Sequence, residues 1–109
     1  MGDAVTRVGP YERLYRVDTY EGSDPAIIDV LAFIGTLGHQ FTPTCYILGS
    51  DSDDSTQGWA WLDHVPMGQP DTEYTRSPMA CYVVHPGAIR RIRRSRTSAQ
   101  QIYIGGFNP

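Results

Sequence analysis

Residues 23–38 read SDPAIIDVLAFIGTLG and hold the longest apolar run of the chain, Ala26 to Leu37, broken only by Asp29, Gly35 and Thr36. The run has the start and stop of a helix. Asp24 can accept from free amides, and Pro25 suits a first helical position, where its missing N–H had no partner to lose. Gly38 suits a left-handed stop. Apolar residues at 27, 30, 31, 34 and 37 follow the helical period, and 28, 32 and 33 widen the stripe. So narrow a polar edge predicts a helix buried over most of its circumference. A run of this length rises only about 18 Å against a hydrocarbon core of roughly 30 Å, so the expectation is a core helix and not a membrane span.

Around that helix the chain is sized for a single domain of 109 residues, with residues 1–10 as a loose leader ending at Gly9-Pro10. Apolar content of 40%, with seven Tyr and two Trp, predicts a folded core and not a disordered tail. No apolar stretch follows Met1, so no secretory signal is read and the expected compartment is the cytoplasm. Cys45 and Cys81 are too few for a disulfide framework and are expected as separate buried thiols. All nine basic residues are arginines, and their placement is lopsided: four lie in residues 1–89 with all 12 acids, five in residues 90–109 with none. Opposite-sign faces follow, the basic one suited to an anion.

Taken in order, Glu12 to Tyr20 alternates and reads as a strand, and Glu21-Gly22-Ser23 turns the chain into the helix. Thr44–Leu48 and Trp59–Asp63 read as strands on either side of a polar loop, Gly49–Gly58. Pro66 to Pro78 reads as a long loop, a kind that in small domains tends to carry function. Ala80–Val84 and Gln101–Ile104 are the remaining strand candidates, and Ala88–Arg96 is either a short helix or an edge strand. These elements predict an α+β domain: one main buried helix packed on a mixed or antiparallel sheet of about five strands.

Several chemistries are excluded by spacing. Asp51-Ser52-Asp53-Asp54-Ser55 opens like a calcium loop, but Thr56 and Leu62 stand where that loop needs Gly and Glu. His39, His64, His85 and the two cysteines form no CxxC or HxxxH pair, so no metal site is expected. No GxGxxG, P-loop or nucleophile elbow occurs. Two constellations remain. The run Arg90, Arg91, Arg93, Arg94 and Arg96 is a candidate anion or nucleic-acid patch. Arg16 on a strand suits a diphosphate through its forked N–H groups, and Asp71 with Glu73 on a loop suits a developing cation.

Leu14-Tyr15-Arg16-Val17-Asp18-Thr19 resembles the opening strand of ADP-ribosyltransferases of the cholera and pertussis toxin class. Gln40-Phe41-Thr42-Pro43, Thr72-Glu73-Tyr74, Pro86-Gly87-Ala88-Ile89-Arg90-Arg91-Ile92 and the closing Phe107-Asn108-Pro109 resemble later segments of that class in the same order. The resemblance implies NAD as substrate, with Arg16 on its phosphates. It also implies Glu73 on the nicotinamide ribose, Asp71 two residues before it, and Tyr74 or the Trp59/Trp61 region beside the nicotinamide. ADP-ribose would pass to a protein acceptor, and Ala88–Arg96 would be a strand. The reading kept beside it is a small non-enzymatic interaction protein. It would use the acidic loops 51–54 and 71–73 and the arginine patch to bind a protein or RNA partner.

Overall fold

The computed structural model describes residues 9–22, 26–50 and 58–109. Its elements, in chain order, are β1 (Arg13–Arg16), β2 (Ile27–Asp29), α1 (Val30–Gly35), β3 (Thr42–Gly49), β4 (Trp59–Pro66), β5 (Thr75–Ala80), β6 (His85–Pro86), β7 (Ile89–Arg93) and β8 (Gln101–Phe107), with a one-turn 3-10 helix, Arg94–Arg96, after β7. The strands make two antiparallel four-stranded sheets, ordered β1-β8-β3-β6 and β2-β7-β4-β5.

This architecture is mostly β, and it corrects the expectation of an α+β domain built on one main buried helix. The run read as that helix divides. Ile27 and Ile28, branched at Cβ and stiff, pair with Arg93 and Ile92 of β7, and only the next six residues coil. Asp29 caps α1 by accepting from the Ala32 amide at 3.1 Å, and Thr36 ends it by donating back to the Phe33 carbonyl. Six residues are too few to be stable as an isolated helix, so packing must hold them. Phe33 supplies that packing, meeting Tyr15 and Tyr20 edge-on at 6.0 and 5.6 Å between ring centroids. The cap expected at Asp24 and Pro25, the leader up to residue 8 and the Asp51–Ser55 loop lie outside the described residues.

Other boundaries shift too. The strand read over 12–20 is the shorter β1, and the strand of 101–104 runs on to Phe107. The 66–78 loop shrinks to 67–74, because β5 begins at Thr75. Residues 81–84 are not a strand: Tyr82 has φ +62, which breaks an extended path, and its hydroxyl donates to the Ser50 carbonyl at 2.6 Å. Residues 89–93 are a strand, so of the two readings of Ala88–Arg96 the strand holds over most of its length.

The core lies between the sheets. Leu48, Ile102 and Ile104 from the first sheet meet Ile28, Leu62, Ile89 and Ile92 from the second, all essentially closed to solvent. The alternation is plain on β8, where Ile102 and Ile104 point inward and Tyr103 stands between them, half-buried. Cys45 and Cys81 are buried and unpaired, as expected. No helix among the described residues is long and apolar enough to cross a membrane.

Candidate functional site

β4 decides which side chains leave the core. Ala60 and Leu62 join the core cluster, so the period of two sends Trp59, Trp61 and Asp63 to the opposite face of the second sheet. Register brings Ala80, Pro78 and Arg76 of β5 beside them, in that order. On the other side, Arg91 pairs with Val65, and Arg93 follows two residues on, over Asp63. The outer face of this sheet is therefore a layer of arginines and aromatic rings.

The contacts within that layer are specific. The Arg76 guanidinium lies 4.1 Å from the centre of the Trp61 ring, and its Nε donates to the Arg96 carbonyl at 3.1 Å. Arg93 lies 4.1 Å over Tyr74. Both are cation–π contacts, which draw a guanidinium onto the face of a ring. Trp59 meets Trp61 edge-on at 5.6 Å and remains 41% exposed. Beneath them Asp63, only 2% exposed, faces Arg93 Nε at 2.8 Å and Arg96 Nε at 3.9 Å. Thr97 braces the same spot, accepting from the Asp63 amide and donating to the Arg93 carbonyl. Further along, Arg91 reaches Asp29 and Asp71 at 3.3 and 3.4 Å, and Arg90 reaches Asp71 at 3.8 Å. Among the described residues these contacts bring five arginines to three aspartates, an excess of positive charge on a chain whose net charge is −3.

The residues expected from sequence separate into two groups. Arg90, Arg91, Arg93 and Arg96 do meet on this face, and Arg94 does not: it turns toward the seam of the two sheets and donates to the Tyr20 carbonyl. Tyr74, Trp59 and Trp61 share the face with the patch. Asp71 is there as a partner of Arg90 and Arg91. Arg16 belongs to the other sheet. It pairs with Tyr103 of β8, beside inward-facing Tyr15 and Ile104, so it points away from the core on the first sheet's outer side. Its Nε donates to both oxygens of Asp18 at 2.9 and 3.0 Å. Burial pushes the Asp18 carboxyl up, but the bonds from Arg16 and the Ile102 amide outweigh it and hold its pKa below the ordinary aspartate value. Glu73 is exposed in the turn before β5 of the second sheet, its amide bonded to the Pro70 carbonyl.

Two cavities are described. One, of about 170 Å³, has Asp18, Arg94, Thr97 and Gln100 around Ile28 and Ile102. The other, of about 490 Å³, opens between the end of α1 and Phe41 beside His39 and Pro109. Neither is lined by Arg16, Asp71 or Glu73, so the structure does not join those three around one described cavity. Among the described residues no group of three potential metal ligands occurs. Arg76 and Asp63 are the site residues that the sequence reading missed. The alternation of Trp59, Trp61 and Asp63 was the available signal, since it places all three on one side of a strand. No family model, curated protein or solved structure matches this chain.

Proposed function

We propose that this protein is a non-enzymatic binding module whose second sheet offers its outer face to an anionic partner. One observation carries the reading: Trp59, Trp61 and Tyr74 stand among Arg76, Arg91, Arg93 and Arg96 on a single solvent-facing layer. Arginine and aromatic residues are the types that dominate binding energy where surfaces meet, the rings because they bring a large flat area at little cost in side-chain entropy and arginine because it both stacks and donates forked hydrogen bonds. Their preorganisation supports it as well. Asp63 and the two ring stacks fix three guanidiniums before any partner arrives, which lowers the ordering cost of association. The NAD-transferase reading finds less support, since Arg16 lies on β1 of the first sheet and Glu73 in the turn that leads into β5 of the second.

The test is retention on immobilised heparin, a polyanion without bases. A chain of net charge −3 should pass through unless one face is locally positive. We expect retention that weakens as salt rises from about 50 to about 200 mM, and its loss in Arg76→Glu/Arg96→Glu. Retention unaffected by that double substitution, with Arg16→Glu abolishing it instead, would move the binding surface to the first sheet.

A further inference from the structure

We infer that the partner of this face is a single-stranded nucleic acid, bound by base stacking on Trp59 and on the guanidinium-capped rings of Trp61 and Tyr74. The inference rests on the binding-module reading above and makes it more specific. Four features point to bases and not merely to negative charge.

The first is that the aromatic rings are part of the positive layer itself. A surface built only for phosphate or carboxylate could use rings to hold its guanidiniums, but would have no use for one left as open to solvent as Trp59. A strand of nucleic acid joins a charged backbone to flat, weakly polar bases, and this face sets guanidiniums beside aromatic rings. Trp59 and Trp61 are two residues apart on an extended strand, about 7 Å along its length. The face from Trp59 to Val65 spans about 20 Å on the same rise, enough for a few extended nucleotides.

The second is the state of the rings. Trp59 keeps 41% of its surface in solvent. Trp61 and Tyr74 each carry a guanidinium at 4.1 Å, and a guanidinium is itself a group on which a base can stack. The third is that the residues are all arginine. A guanidinium can stack on a base and still fork two N–H bonds to a phosphate, which an ammonium cannot do. The fourth is geometry. On the open face of this sheet Trp59 is within reach of an unpaired base, whereas a rigid duplex hides its bases within the stack.

The experiment uses the full chain and its own tryptophan fluorescence. Oligo(dT) and oligo(U) of about 12 nucleotides are compared with a duplex of equal length, with heparin and with poly-glutamate. We expect both single strands to quench the fluorescence and to bind at least about tenfold more tightly than the duplex. Trp59→Ala should weaken that binding by about fivefold or more, as loss of one stacked base does. Its effect on heparin retention should be smaller, because heparin has no bases to stack. If about three phosphates are engaged, raising salt fourfold should weaken binding roughly twentyfold. Trp59→Phe, which keeps a stacking face, should restore most of the loss and so separates stacking from folding. Single strand, duplex and heparin binding alike, with no effect of Trp59→Ala, would overturn the inference and leave the anion-binding module standing. Preference for poly-glutamate would overturn it in favour of an acidic protein partner. Binding to none of these polyanions would overturn both.

Discussion

At the scale of single residues, Gly106 is the most closely packed of the described glycines. It lies on β8 opposite Pro43, beside the irregularity that separates Pro43 from Cys45 in the β3–β8 register. A Cβ built there would stand 2.0 Å from the Thr42 carbonyl oxygen and 2.8 Å from the Phe41 ring. The first neighbour is backbone and cannot rotate away, so the two central strands of the first sheet would have to part. Gly35 is the opposite case. It ends α1 with nothing within 4 Å of an added Cβ and without a positive φ. Gly106→Ala should therefore cost about 3 kcal/mol or prevent folding, whereas Gly35→Ala should be neutral or stabilise by up to about 1 kcal/mol. Urea denaturation of the pair decides it: equal effects would mean that close packing at β3 and β8 is not what requires glycine at 106.

At the scale of elements, the layer on the second sheet depends on how β7 and the 3-10 turn are fastened to β4. Asp63 is the fastening point: its carboxylate is 3% exposed and faces two guanidiniums, while Asp71 is 45% exposed. Charge pairs in water contribute little, and a pair with a buried carboxylate contributes more because water and salt screen it less. Asp63→Asn should then lower stability by about 1–2 kcal/mol. Arg90→Gln, which removes only a 3.8 Å surface contact, should change it by less than about 0.5 kcal/mol. Thermal denaturation in low and high salt checks both, and a larger loss at Arg90 would place the brace elsewhere. The same strands show what could be read in advance. β4 is legible from its alternation and β3 from a short apolar run, both of them local signals. The division of Ala26–Leu37 is not legible, because a short buried strand and a buried helix are both simply apolar. Only the pairing of Ile27 and Ile28 with β7, more than 60 residues later, decides between them. The break at Tyr82 was hidden for a similar reason, since its left-handed backbone is fixed by Ser50 and Leu48 across the fold. The arginine patch was visible as a run, but its union with Trp61 and Tyr74 comes from register.

At the scale of the whole molecule, the two sheets enclose a titratable group at their interface. His64 sits on β4, 9% exposed, on the inner side with its ring 6.2 Å from that of Tyr46, which in turn stacks on His85 at 5.0 Å. Burial pulls the His64 pKa below the ordinary histidine value, against the backbone of Leu62 and Thr75 and the Asp63 carboxylate, which favour the charged form. The folded chain therefore holds this imidazole neutral, while the unfolded chain protonates it as pH falls through about 6.5. Between the unfolded and the lower folded pKa the unfolded state binds more protons, so stability must decline as pH falls through that window. Above it the contribution is complete. Asp18 acts in the same direction in a more acid window, its folded pKa also being lowered. Melting temperature should thus hold steady from about pH 8 to about pH 7 and fall toward about pH 5, with a further fall below about pH 4. His64→Gln should flatten the first decline whatever it does to stability at neutral pH, and Asp18→Asn should flatten the second. A first decline of unchanged slope in His64→Gln would mean that the two sheets close over a group other than this imidazole.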